Sequence, residues 1–439
     1  MKSIPLVGYS DKLSVRPNET ISFKISSNLK KNFTASLKRS ISADPNPKGV
    51  GIIEEDASKY FKTSSYKSRQ QTFSPGSYAV SKKPIKISIN KYLTLSAIIF
   101  PTISSDKDQS IFSIGNIEIY INSKGLSTIR VGEKSISIKE PLELRSWYKI
   151  KIKISINGNV SISQKILRNK EKKEITNKDN LNINKVISGK VFLAAILSKG
   201  VPSNYFNGKI ESPQITVNKK IIGDWDLSNN TSLTFVDSIV GPSLILKNYP
   251  TRAVTGSKWD GSEMNWQHKP KHYAAIHFHE DDIYDFKWDT DFKFIIPKNM
   301  PSGIYVMKIK CDEHEDSMPF FVAPTIDRSK AKICVLISTF TYSIYGNHAR
   351  VDYDDSWLNR IKDWNGYPHN PVNHKEYGLS TYNYHTDGAG ICHASHRRPL
   401  FNIRPGYITF GGSEPPCSGL RHFQADSHLI SWLHAKNFE

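Results

Sequence analysis

Residues 148–154 read Tyr-Lys-Ile-Lys-Ile-Lys-Ile, with an apolar side chain at every second position and a lysine between each pair. Successive side chains of a strand point to opposite faces, so this run can bury one face and solvate the other only as a strand. Asn157-Gly158 follows, and a second alternating run starts at Asn159. An Asn-Gly pair between two such runs is a hairpin signal, because both residues tolerate the positive φ of a tight turn. The same period recurs in Ile85–Ile89, Thr94–Phe100 and Ile117–Ile121. Nothing helical of any length separates these runs between about 85 and 250. Regular short strands with turn signals predict a sandwich or jelly roll. The charged stretch Lys170 to Asn184 predicts an exposed loop.

The formal charge of +19 is unevenly distributed. Residues 1–250 carry 39 Lys+Arg against 19 Asp+Glu, whereas residues 251–439 carry 21 against 22. A basic front can signal nucleic acid or a membrane surface. Here the lysines alternate with apolar residues, which describes the solvent face of strands, so neither partner is expected. No run reaches the roughly 18 apolar residues of a spanning helix. Met1-Lys-Ser-Ile-Pro-Leu-Val contains no secretory apolar segment. The four cysteines have no paired spacing, and a reducing cytoplasm is the expected location.

The 439 residues predict two to four domains. Strands at Ile21–Ile25 and Phe33–Leu37 are too few to stand alone. Phe292–Ile296, Gly303–Met307 and Pro319–Val322 resemble the last strands of an immunoglobulin-like sandwich. Tyr205 to Ile215, with Trp225-Asp-Leu227, resembles the closing strands of concanavalin- or laminin-G-like jelly rolls. The expected order is therefore a split β-sandwich (1–65 and 251–326) with a jelly roll inserted at 66–250. After Pro324, Ile333-Cys-Val-Leu-Ile337 is continuously apolar, as in a strand buried on both faces of a parallel sheet. Cys334 reads as a small core residue. About 85 residues rich in Tyr, His, Gly and Pro follow, and a loop that long is usually functional. A helix closes the chain, with Asp426 or Ser427 as N-cap and Leu429, Ile430 and Leu433 on one face. Residues 327–439 thus predict the first part of an α/β domain. One strand and one helix cannot complete such a sheet, so the chain is expected to stop within its last domain.

All fourteen histidines lie between His268 and His434. His277 and His279 fall on one face of a strand with Glu280, Asp281 and Asp282 following, a combination that can bind zinc or iron. The plainer reading is a surface strand end near a domain junction, because spacing fixes no third ligand. Cys392, His393 and His396 form a poorer candidate, since adjacent residues rarely share one tetrahedral site. Gly411-Gly-Ser413 and Pro416-Cys-Ser-Gly419 lack the strand and helix of a nucleophile elbow. Tyrosines cluster at Tyr342-Ser-Ile-Tyr345 and Tyr377 to Tyr384. By residue type alone these are packing residues with a polar handle.

Tyr377-Gly-Leu-Ser-Thr-Tyr382, Arg397-Arg-Pro399, Asn402-Ile-Arg-Pro405 and Asp426 to Leu433 resemble the large (beta) subunit of N,N-dimethylformamidase. So do Phe278-His-Glu-Asp281, Pro319-Phe-Phe-Val322 and Gly8 to Val15. The resemblance spans essentially the whole chain. It implies an amide hydrolase that attacks a small N-substituted amide with iron-activated water, giving formate and an amine from a formamide. It also implies a glutamine-amidotransferase-like fold for the last domain, a small-subunit partner and an oligomer. The family's mononuclear iron, expected to be ferric, is held by two tyrosines and a glutamate; Tyr345 and Tyr382 match the tyrosines. Phenolate is a hard oxygen donor suited to a hard ion. The glutamate is expected beyond residue 439, leaving this chain short of its third ligand. His385 falls where the family has a histidine and is the candidate for proton transfer. The reading from a different class is a non-catalytic, lectin-like protein that binds carbohydrate or serves assembly.

Overall fold

The computed structural model describes residues 4–168, 173–181, 183–228, 230–326, 331–350, 355–409 and 418–438. It divides into two compact units. One comprises Ser74–Ile283 with the short segment His385–Ala389; the other comprises Met1–Phe73, Tyr284–Tyr384 and Gly390–Glu439.

The 74–283 unit is built from the alternating runs. Along the strand Tyr148–Ser155, Tyr148, Ile150, Ile152 and Ile154 are buried while Lys149, Lys151 and Lys153 are exposed. The strand pairs antiparallel with Tyr92–Pro101 on one side and Asn159–Ile166 on the other, setting Ile152 opposite both Leu95 and Ile162. Gly158 closes the hairpin at φ +80°, as its Asn-Gly turn requires. These strands belong to one eight-stranded sheet, and Gln109–Ile114, Ile117–Ile121 and Ser127–Val131 belong to another. Both contribute to a single apolar core that includes Leu95, Phe112, Ile119, Ile152, Ile210, Trp225 and Ile276. Each aliphatic side chain removed completely from water stabilises the fold by about 1.5–3 kcal/mol.

Two expectations are corrected in this unit. Residues Ile175–Asn180 are not a loop but an edge strand on Asn159–Ile166. Their charged, mostly exposed side chains suit an edge, where charge discourages pairing with another chain. The boundary expected at 250 also moves. Thr251–Val254 and Ala275–Phe278 continue this unit's sheet, with Ile276 opposite Ile210 and His277 opposite Lys209. Their apolar residues complete the core described above.

The other unit interleaves two distant segments. Phe33–Ala43 pairs with Gly303–Cys311, Thr20–Ser27 pairs with Phe292–Ile295, and Ser14–Val15 lies parallel to His314–Val322. Phe23, Phe33, Phe292 and Phe320 share its core. The strand expected at Ile333–Ile337 does not form. Ile333, Cys334 and Leu336 are exposed, Leu336 at 91%, and no β-pairing reaches them. Continuous apolarity gives no strand without neighbours to accept the backbone hydrogen bonds. The helices are Thr339–Ile344, Asp355–Asp363 and Phe423–Ala435. The last begins earlier than expected. His422 occupies the N-cap position, and Asp426 instead accepts a hydrogen bond from the Tyr342 hydroxyl. Its buried residues are Phe423, Gln424 and Ser427, while Leu429 is exposed.

Among the described residues, no helix is long and apolar enough to cross a membrane.

Candidate functional site

Tyr345 is the C-cap of the helix Thr339–Ile344, and Tyr382 lies in the long irregular stretch that follows. Their rings stack with centroids 4.3 Å apart and an interplanar angle of 11°. The Tyr382 side chain beside it is the main cause of a raised Tyr345 pKa, because the pairing favours the protonated phenol. Two phenol groups on stacked rings offer hard oxygen donors of the kind that suit a hard cation. His422 adds an imidazole whose ring centre is 4.5 Å from that of Tyr345. Burial and the neighbouring Arg421 lower its pKa, and its Nε2 is buried without a hydrogen-bond partner.

Polar side chains hold the two tyrosine segments together. Arg398 is buried and donates to the carbonyl oxygens of Tyr377 (2.8 Å), Leu379 (3.0 Å) and Gly346 (3.2 Å), as well as Gly378. One guanidinium thus fastens the residue after Tyr345 to the segment before Tyr382. Its five fixed donors suit this task better than a lysine's ammonium. Asn347 donates to the Pro399 carbonyl at 2.9 Å and accepts from the Phe401 amide at 2.8 Å. The Thr381 amide donates to the Ile344 carbonyl at 3.2 Å. A second buried arginine, Arg404, forms a bidentate pair with Asp316 at 2.9 Å for both bonds. Asp316 also accepts from the Gly8 amide and the Tyr367 hydroxyl.

The 74–283 unit holds a different constellation. His277 and His279, at the end of the strand Ala275–Phe278, are 7% and 0% exposed, which excludes a surface strand end. Their partners come from the His385–Ala389 segment and from the turn after the strand. His277 Nε2 lies 3.0 Å from Asp387 Oδ2, and His279 Nδ1 lies 3.3 Å from Asp282 Oδ2. His385 Nδ1 lies 2.7 Å from Asp281 Oδ1, and its ring stacks on His279 at 3.8 Å. Burial pushes the His277 pKa down to about 4, so this imidazole is neutral. His385 shifts the other way. Burial alone would lower its pKa, but Asp281 and Asp282 raise it overall. Asp387 is held well below the usual carboxylate range; burial opposes this, and the bond from His277 with the neighbouring His279 outweighs it. Two trios of donor atoms here could hold a metal ion: His277, His279 and Asp387, and His279, Asp282 and His385.

The sequence-derived candidates thus fall in two places. Tyr345 and Tyr382 are brought together in one unit, and His385 joins the histidine–aspartate cluster of the other. Cys392, His393 and His396 make no metal-competent group among the described residues. Gly411–Ser413, Pro416 and Cys417 lie outside those residues. Asp387 was not foreseen, because it meets His277 across 110 residues of sequence. Nor were His422 and the clamping role of Arg398, since neither lies on a periodic face.

Fold and sites together define a mostly β protein of two compact units, one carrying paired phenols and the other a buried imidazole–carboxylate cluster. Residues 251–439 match the family described as N,N-dimethylformamidase beta subunit-like, C-terminal. Across its whole length the chain is 30% identical to the N,N-dimethylformamidase beta subunit of Alcaligenes sp and 29% identical to that of Paracoccus aminophilus. It spans 64% of the length of each. The chain is thus similar over its whole length to N,N-dimethylformamidase beta subunits. Among solved structures, the LG4-5 domains of the mouse laminin alpha1 chain align at a TM-score of 0.24 and 10% identity, covering 41% of this chain and 51% of that one. A score that low carries no argument here.

Proposed function

We propose that the protein of which this chain forms part hydrolyses a small N-substituted amide, with iron held by Tyr345 and Tyr382. The stacked tyrosine pair carries this reading. Ferric iron bound there supplies Lewis acidity toward an amide carbonyl. The chain's own residues do the rest. Tyr345 and Tyr382 would each lose a phenolic proton to present two anionic oxygens to the ion. Arg398 keeps their segments in register through the carbonyls of Gly346 and Leu379. His422, with an unpartnered Nε2 beside Tyr345, is placed to take a proton from water or substrate. His385, whose pKa Asp281 and Asp282 raise, is kept as a candidate for proton transfer on the resemblance alone. The similar proteins are beta subunits, so a further, smaller subunit and a higher oligomer belong to this reading.

The test is iron content and visible phenolate-to-iron absorbance in the purified protein, with formate release from N-substituted formamides. Replacing both tyrosines by phenylalanine should abolish the absorbance and the iron. If iron and colour survive in Tyr345→Phe/Tyr382→Phe, the assignment is wrong. Carbohydrate binding with no amide turnover would favour the lectin-like reading, for which the two-sheet unit offers the layering of a jelly roll.

A further inference from the structure

We infer that His277, His279 and Asp387 form a binding site for a divalent first-row transition metal such as zinc, separate from the tyrosine pair and independent of the function proposed for it. The inference rests on an unsatisfied atom. His279 is fully buried, and its Nε2 has no hydrogen-bond partner. The carboxylate of Asp282 accepts only, so the His279 Nδ1 that faces it at 3.3 Å carries the ring proton. Asp282 is itself anchored by the Ser77 hydroxyl, which donates to it at 2.6 Å. His279 Nε2 therefore bears a lone pair. It faces Asp387 Oδ2 at 3.6 Å, beyond hydrogen-bond reach, and that oxygen already accepts from His277 Nε2 at 3.0 Å. A buried lone pair set against a carboxylate oxygen is a position a cation would stabilise.

The spacing and donor types match a metal. Ligand bonds of about 2.0–2.1 Å in a tetrahedron place neighbouring donors about 3.3 Å apart, and the two measured separations, 3.0 and 3.6 Å, bracket that value. Two imidazoles and a carboxylate suit zinc, iron(II) or cobalt(II), and leave an open position. At His277 the ion would replace the Nε2 proton that now bonds Asp387, with the ring proton carried on Nδ1 instead. The Asp282–His279 pair is the carboxylate–histidine arrangement that fixes the tautomer and orientation of a metal-binding imidazole. Asp387 is held in place from its own segment, its Oδ1 accepting from the Ala389 amide at 2.9 Å and its backbone carbonyl accepting from Arg145 at 3.0 Å. Lys209 opposes a cation here, but burial lowers its own pKa and Thr255 engages its ammonium at 2.9 Å. The neighbouring trio is less suited. Its His385 already bonds Asp281 at 2.7 Å, and its His279 Nδ1 already bonds Asp282.

In metallic terms the segment His385–Ala389 would be pinned to the strand Ala275–Phe278 by a bond between residues 110 apart. The test is metal analysis of the full chain, stripped with chelator and then equilibrated with zinc, alongside the optical spectrum after cobalt(II) substitution. The wild-type chain and the Tyr345→Phe/Tyr382→Phe variant should each retain one equivalent of zinc and show cobalt d–d bands. His277→Gln and His279→Gln, checked for folding by circular dichroism, should lose both signals. Asp387→Asn should bind zinc at least tenfold more weakly. His385→Gln should retain the ion. The inference is overturned if the wild type keeps no zinc above the buffer, which would leave a proton as the partner of His279. It is equally overturned if the ion disappears in His385→Gln and persists in His277→Gln, or if it leaves only with the two tyrosines.

Discussion

The hairpin at 148–166 and the stretch at 342–424 are both densely bonded, but by opposite means. Along the hairpin's first strand every second residue is an apolar side chain in the core, and the backbone ladder supplies the hydrogen bonds. In the later stretch regular structure is sparse, and side chains do the bonding. Arg398 caps four carbonyls, Asn347 ties three segments, Arg404 grips Asp316, and Gln424 donates to the carbonyls of Asn402 and Arg404. The difference teaches where chemistry can reside. A laddered strand has its polar groups committed to neighbours, whereas a loop held from within by buried arginines can present side chains such as Tyr345 and Tyr382 at defined positions.

Mutation can break this comparison. Arg404→Met leaves the Asp316 carboxylate buried without its cation and should destabilise the unit that contains it by about 3–5 kcal/mol, measured by denaturant unfolding. A loss under about 1 kcal/mol would mean that polar clamps are not what holds this region. In the hairpin, Ile152→Ala should cost about 2–5 kcal/mol through lost burial and a cavity. Its neighbour Lys151→Ala, on the solvent face, should stay within about 0.5 kcal/mol. Equal effects at 151 and 152 would contradict the two-faced strand. Gly158→Ala should cost about 1–3 kcal/mol, since the residue holds φ +80° and a Cβ would meet the Leu181 carbonyl oxygen at 2.5 Å.

The smallest effect is a pH dependence. Burial pushes the pKa of His369 down to about 4, against the counteracting charge of Asp316. The folded state therefore binds this proton more weakly than the unfolded chain, where the pKa is about 6.5. The contribution to stability is fully present above pH 6.5 and is lost as the pH falls through 4. Stability measured between pH 7 and 4 should fall less steeply in His369→Gln than in the parent. An unchanged slope would show that His369 is not buried as described.

Legibility in the sequence followed the same division. The alternation at 148–154 predicted which side chains are buried because a strand's faces are set by local geometry and need no knowledge of the partner. The Asn-Gly turn was readable for the same reason. The run Ile333–Ile337 misled because apolarity is only a disposition to be buried, and a strand requires neighbours that composition cannot supply. The charged Ile175–Asn180 misled in the opposite direction: an edge strand needs a ladder on one side only, so its side chains can remain polar. The closing helix was visible, but its buried face was displaced because Phe423, Gln424 and Ser427 pack against residues far away in sequence.

By itself the sequence determined local matters: the period of the strands, the place of the tight turn, the concentration of Tyr and His in the second half, and a resemblance to N,N-dimethylformamidase beta subunits in strings spread from Gly8 to Leu433. The tertiary structure alone decided that the strand at 275–278 joins a sheet begun at Tyr92–Pro101. It also decided that Arg398 joins two tyrosine segments, and that Asp387 faces two histidines 110 and 108 positions earlier. Such contacts are made by chain closure, whose cost and geometry depend on everything folded between the partners, so no local pattern in the sequence encodes them.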